Sequence, residues 1–249
     1  MILEGKKVIV TGGVRGLGRA TVDRLIGKGA AITVFDVDAS SLEELRHEQP
    51  GVTCIACDVS NHAEVVAAMS CYHNSAGVAD VLVNNAGVLH SAPLVTIGPS
   101  GARAHDAAEW DRVLAADLSS VFYMTACAVE RMVVTRTRGV IVNISSVSAA
   151  GNAGQSAYSA AKAGVNALTA VWAKELGPLG IRVVAVAPGF VDTPSTALAL
   201  SETQLRETVK RVPLRRLGRP EEIADGVIAV IENDFFNGRV FELDGGLTL

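Results

Sequence analysis

Tyr158 and Lys162 stand four residues apart in Tyr158-Ser-Ala-Ala-Lys162, and an Ala-rich run continues from them to Leu176. In a helix this spacing puts both side chains on one face, with the ammonium beside the phenol ring. A free phenol ionises near pKa ~10, and a fixed cation favours the phenolate, each unit of lowering corresponding to roughly 1.4 kcal/mol. A tyrosine tuned in this way can give a proton to a carbonyl oxygen or take one from a hydroxyl. The spacing alone is a weak signal, because Tyr and Lys fall four apart on many helices by chance. The elements that would position the pair decide whether it does chemistry.

Near the N-terminus an apolar strand over residues 6–11 runs into Gly12-Gly-Val-Arg-Gly-Leu-Gly18, and an amphipathic helix follows over 20–28. Glycines permit a tight turn and close backbone approach, while the free N–H groups and positive end of the new helix favour a pyrophosphate. A second strand over 31–36 ends on Asp36, roughly twenty residues past the turn, where a dinucleotide site needs a carboxylate for ribose.

The alternation continues with a helix over 41–48, a strand over 52–57 ending at Asp58, a helix over 63–72 and a strand over 80–84. A long helix over 106–132, a strand over 139–146, the Tyr158 helix and a strand over 181–187 come next. Helices over 201–211 and 220–231 and a strand over 239–243 complete the chain. The pattern predicts an α/β fold, a doubly wound parallel sheet of about seven strands with helices on both faces. No linker, low-complexity stretch or repeat divides it, so one domain is expected over 1–249. Asn84-Asn-Ala-Gly87 and Pro188-Gly189 fall at the carboxyl ends of strands, where such sheets meet their ligands. Two connections are unusually long. Residues 88–104, with Pro93, Gly98, Pro99 and Gly101, read as a lid or an interaction element. Residues 190–213, with Leu198, Leu200, Leu205 and Val209, read as a substrate lid, with ordinary helix packing as the alternative.

With 249 residues, 49% hydrophobic content and a net charge of -4, the chain can bury a large core and offers no basic surface for nucleic acid or anionic membrane. A small-molecule substrate is the expected partner. The first strand begins almost at Met1, without a basic and apolar leader, and no run reads as transmembrane, so a cytoplasmic protein is expected. Cys54, Cys57, Cys71 and Cys127 are too sparse for a disulfide framework. Cys54-Ile-Ala-Cys57 lies in an apolar strand with no second Cys/His cluster, so the pair is expected in the core and no metal is expected.

Taken together, these motifs resemble the short-chain dehydrogenase/reductase family over essentially the whole chain. Thr11-Gly-Gly-Val-Arg-Gly-Leu-Gly18, Asp58-Val59, Asn84-Asn-Ala-Gly87, a serine after the fifth strand, Tyr158-x-x-x-Lys162, Pro188-Gly189 and Asp244-Gly-Gly246 occur in the family's order. The resemblance implies a single-domain Rossmann fold and hydride transfer between a nicotinamide cofactor and a secondary alcohol or ketone. Gly12, Gly16 and Gly18, with Arg15 and Leu17 between them, would shape the phosphate turn, and Asp36 would hold the adenosine ribose. Asp58 and Val59 would contact adenine, and Asn84, Asn85, Ala86 and Gly87 the middle of the cofactor. Pro188, Gly189, Val191 and Thr193 would face the nicotinamide. Lys162 would bind the nicotinamide ribose beside Tyr158, the acid/base, while the serine holds the substrate oxygen. The family also implies a homodimer or homotetramer, built from the helices over 106–132 and 155–176, whose apolar content exceeds one buried stripe.

Three positions leave alternatives open. The family usually has Asn where this chain has Asp117, and a buried anion there would bias Lys162 and Tyr158 differently, making Asp117 a catalytic candidate. Counting back from Tyr158 by the family's commonest spacing selects Ser145 as the active serine, whereas anchoring on Gly139 and the strand selects Ser146. Ser146 is favoured because a loop absorbs a deletion more easily than a central strand absorbs a register shift. Asp36 repels a 2'-phosphate while Arg15 resembles family members that bind one; the carboxylate favours NAD over NADP. The chain's ending and long loop look like the type 2 3-hydroxyacyl-CoA dehydrogenase branch, whereas Gly-Asn-x-Gly-Gln at 151–155 is shared with 3-oxoacyl-carrier-protein reductases. An NADP(H)-dependent 3-oxoacyl thioester reductase is therefore the alternative enzyme. A cofactor-binding regulatory protein without catalysis is the alternative from another class.

Overall fold

Val8, Ile9 and Val10 are all fully buried, and the alternation of a strand sends Val8 and Val10 into one apolar layer and Ile9 into another. The same division holds along the sheet: Val140 and Val142 face one way and Ile141 the other. The computed structural model describes every residue except Ser100, Leu200 and Leu249. Its strands are β1 (Lys7–Thr11), β2 (Ala31–Asp36), β3 (Thr53–Ala56), β4 (Val81–Asn84), β5 (Val95–Gly98), β6 (Gly101–Ala104), β7 (Gly139–Ile144), β8 (Ile181–Pro188) and β9 (Val240–Leu243). Its helices are α1 (Gly16–Gly27), α2 (Ala39–Glu48), α3 (His62–Ala76), α4 (Ala107–Leu114), α5 (Ser120–Thr135), α6 (Ser156–Leu176), α7 (Pro194–Ala199), α8 (Glu202–Arg211) and α9 (Pro220–Glu232).

Seven strands form one parallel sheet in the order β3-β2-β1-β4-β7-β8-β9. Helices α1, α2 and α9 cover one face through Val22, Leu25, Leu42, Leu45, Val227 and Ile231. Helices α3, α5 and α6 cover the other through Val65, Met69, Met124, Met132 and Val165. This is a single-domain Rossmann fold. Its strand order reverses between β1 and β4, where the connections leave in opposite directions and open a crevice at the carboxyl ends. Cys54 lies buried within β3 and Cys57 buried just beyond it.

Three elements differ from the sequence expectation. Residues 88–104 are not a plain loop: β5 and β6 pair as an antiparallel hairpin, Val95 opposite Ala104, with every described side chain exposed. Without a buried face the hairpin has no hydrophobic alternation to announce it. The helix expected over 106–132 is α4 and α5 joined by a π-helical turn at Ala115–Ser119. The resulting 29-residue helix, Ala107–Thr135, is long and apolar enough to cross a membrane, contrary to the reading of the sequence. In the fold its Val113, Val121, Met124, Ala128 and Met132 are buried as part of the core. Of the expected lid, 190–213, the structure forms α7 and α8; Leu198 on α7 is 90% exposed, Leu205 and Val209 on α8 are half-buried, and Leu200 lies outside the described residues.

Candidate active site

A cleft of about 350 Å3 lies along the carboxyl ends of the strands, the size of a small-ligand pocket. One end is the glycine turn. Gly12 has φ +64, and a side chain there would stand 2.8 Å from Ala86 Cα. A Cβ on Gly18 would lie 2.0 Å from the carbonyl oxygen of Gly12, so only glycine lets α1 start this close to β1. Asp38, Asn61, Asp106 and Ser201 cap α2, α3, α4 and α8 with their side chains, but no side chain caps α1. Its first N–H groups, at Gly16, Leu17 and Gly18, belong to the cleft wall and fit an anionic ligand.

Asp36 closes β2 at the same end. It is 8% exposed, and its carboxylate accepts from the backbone N–H of Asp38 at 3.1 Å and of Val14 at 3.4 Å. Arg15 is largely exposed and lies 4.0 Å from Asp38. Hydrogen bonds from Ser40 and Ser41, with a smaller contribution from Arg15, lower the Asp38 carboxyl to about 2. Asp58 and Val59 line the wall beyond β3, and Ala86 and Gly87 line the centre. Pro188, Gly189, Val191 and Thr193 line the opposite side, after β8.

The two asparagines of Asn84-Asn-Ala-Gly87 part company. Asn85 Nδ2 donates to the carbonyl oxygens of Thr11 and Gly12 at 3.0 and 2.9 Å, fastening the β4 turn to the glycine turn. Asn84 does not line the cleft, contrary to expectation. It is 3% exposed, and its amide donates to Thr125 Oγ1 and Asn143 Oδ1, both at 2.9 Å. As the last residue of β4 it points into the layer beneath α5, and its neighbour points the other way.

At the other end of the cleft, α6 presents Tyr158 and Lys162 on one face, with Nζ 5.6 Å from the centre of the phenol ring. Lys162 is buried; its Nζ donates to Ile144 O at 3.1 Å and lies 3.1 Å from Asp117 Oδ1. Asp117 is 1% exposed on the π-helical turn, and its second oxygen accepts from Val88 N at 3.2 Å. A Cβ on Gly87 would stand 2.3 Å from Asp117 Oδ1, so this glycine makes room for the carboxylate. Burial raises the Asp117 carboxyl above its ordinary range, with Lys162 and the Val88 N–H opposing. Burial works against the Lys162 ammonium, yet Asp117 and then Tyr158 hold it above its usual value. Burial also raises the Tyr158 phenol; Lys162 opposes this, Asp117 reinforces it and the Ser146 hydroxyl opposes it.

The neighbouring serines both line the cleft, but their hydroxyls have different partners. Ser145 is buried and its Oγ donates to Lys162 O at 3.4 Å, a link between β7 and α6. Ser146 is half-buried at the start of a 3-10 turn, Val147–Ala150, where its Oγ accepts from Ser148 N at 3.1 Å. Its hydroxyl bears on Tyr158. One contributor was not foreseen. Gln155 lines the cleft at the start of α6; its Nε2 donates to Ser91 Oγ at 3.0 Å and its backbone bridges to Ala92, tying the hairpin excursion to the Tyr158 helix. The Gly-Asn-x-Gly-Gln stretch was its only signal in the sequence. Among the described residues of the expected lid, Phe190, Pro194, Ser195 and Thr196 reach the cleft wall besides Val191 and Thr193, and α8 contributes none.

The family model described as short chain dehydrogenase matches residues 6–204. The chain is 38% identical to the 3-oxoacyl-acyl-carrier-protein reductase FabG of Thermotoga maritima over an alignment covering 100% of both chains. It is 35% identical to the 3-hydroxyacyl-CoA dehydrogenase type-2 of Bos taurus, over 99% of this chain and 97% of that one. It is 34% identical to the FabG of Vibrio harveyi, over 99% of both. With a parallel sheet split at β1 and β4, an uncapped glycine turn at one end of the cleft and Tyr158 and Lys162 at the other, the chain belongs to the short-chain dehydrogenase/reductase family of nicotinamide-dependent oxidoreductases.

Proposed function

We propose that this protein uses NAD(H) to interconvert a secondary alcohol and a ketone, with Tyr158 as the acid/base. The observation that carries the reading is one continuous cleft with the uncapped glycine turn and Asp36 at one end and Ser146, Tyr158 and Lys162 at the other. The nicotinamide, when bound, supplies or accepts the hydride. Gly12, Gly16 and Gly18 would hold the pyrophosphate and Asp36 the adenosine ribose, and Lys162 the other ribose. In reduction Tyr158 Oη gives its proton to the carbonyl oxygen while Ser146 Oγ donates a hydrogen bond to the same atom. In oxidation Tyr158 takes the hydroxyl proton.

The relatives' names point to 3-oxoacyl or 3-hydroxyacyl thioesters as the first substrates to try. Tyr158→Phe keeps the ring and removes the proton; a loss of roughly 10²- to 10⁴-fold in kcat is expected. Turnover within a few-fold of the parent would overturn Tyr158 as the acid/base. Asp36 supports NAD, since a carboxylate against the ribose leaves no place for a phosphate dianion. A second reading, an NADP(H)-dependent 3-oxoacyl thioester reductase, draws on the exposed Arg15 and on the relatives' names. The ratio of kcat/KM for the two cofactors separates them: NAD(H) is expected to win, and a higher value with NADP(H) selects the second reading.

A further inference from the structure

Lys162 is engaged on two sides within the protein itself. An ammonium has three N–H groups; one meets Ile144 O and another lies at Asp117 Oδ1, each at 3.1 Å. The groups that act on Tyr158 are few. From α6 there is Lys162, from the π-helical turn Asp117, and from the end of β7 the Ser146 hydroxyl. On the far side of Asp117 are the Val88 N–H and, more weakly, Arg112 of α4, which is itself engaged by Glu109. A lone ammonium beside the phenol would present a full positive charge. An ammonium in contact with a buried carboxylate presents a dipole, whose field falls away faster with distance.

We propose that Asp117 is a positioning residue that cancels the Lys162 charge at Tyr158, keeping Tyr158 protonated through neutral pH and setting the site to protonate a carbonyl rather than to deprotonate an alcohol. The proposal rests on the reading of Tyr158 as the acid/base. An asparagine is the same size and its oxygen can still accept from Val88 N–H, with its amide –NH2 then turned to Lys162 Nζ. What Asp117→Asn removes is the anion, together with the acceptor it offers to the lysine.

Tyr158 is one of three tyrosines, so the ultraviolet phenolate absorbance of the parent minus that of Tyr158→Phe reports its ionisation alone, in the chain without cofactor. In the parent, ionisation is expected only at or above the ordinary phenol pKa of ~10. In Asp117→Asn it should move down by about one pH unit or more, the effect of a charge at this range. The half-maximal pH of alcohol oxidation should move the same way. A residue that merely supports the fold would change melting temperature and leave both midpoints in place, and unchanged midpoints in a folded Asp117→Asn would overturn the proposal. If Asp117→Asn does not fold, the parent decides, since a Tyr158 phenolate already formed below about pH 9 contradicts a cancelled lysine charge. Full turnover in Tyr158→Phe, by contrast, would overturn the acid/base reading and leave the titration result standing.

Discussion

Ser145 Oγ is spent on the backbone of Lys162, while Ser146 stands at the cleft next to Tyr158, so substitution at each separates packing from chemistry. Ser146→Ala is expected to lower kcat/KM roughly a hundredfold, the scale of losing one donor to a reacting oxygen. Ser145→Ala should cost about 1 kcal/mol of stability and leave turnover within a few-fold. Steady-state kinetics and a melting curve on both variants check this, and the reverse pattern would return the role to Ser145. At this scale the sequence was readable where a periodicity constrains side chains. Tyr158 and Lys162 fell on one face because the helix repeat requires it. Asn84 and Asn85 share a motif, yet their opposite directions follow from which residue ends β4, a boundary that residue types do not mark.

Among the elements, the seven sheet strands were legible because each is a short, mostly apolar run between turn signals, buried throughout in β4 and β7 and only in part in β3 and β9. The hairpin of β5 and β6 and the π-helical turn were not. The hairpin buries nothing, and the turn at Ala115–Ser119 adds to a helix without interrupting its apolar pattern. The long helices carry one further consequence. Phe122, Val133 and Val134 on α5 and Val171 on α6 are exposed, and the rings of Phe122 and Trp172 lie 6.4 Å apart. We propose that a second copy of the chain covers these faces. Light scattering is expected to give the mass of a homodimer or homotetramer; a monomer at micromolar concentration would refute it.

For the whole molecule, the layer between the sheet and α3, α5 and α6 contains a group that limits stability in alkali. Burial, with a smaller contribution from Asp80, pushes the Tyr72 phenol up to about 12 from 10.0. The fold favours the neutral ring, so its contribution is complete below pH about 10 and is lost as the pH rises through about 12. Tyr72→Phe should leave stability near neutrality within about 1 kcal/mol of the parent and flatten the fall in Tm across that alkaline window. An identical fall in both proteins would remove Tyr72 from the account.

The reversal of strand order between β1 and β4 also bears on how the chain acquires its structure. Val8 pairs with Val81 across 73 intervening steps of chain, the longest separation of any neighbouring pair in the sheet, whereas Lys7 pairs with Ala31 and Thr33 with Thr53. Closing so long a loop costs more entropy than closing the short ones. The seam between the two half-sheets is therefore the costliest junction to zip, and the cleft straddles it. A molecule lying across that seam binds the joined halves and not the separated ones, so it acts as a clasp, raising resistance to denaturant in proportion to the logarithm of its concentration over its Kd.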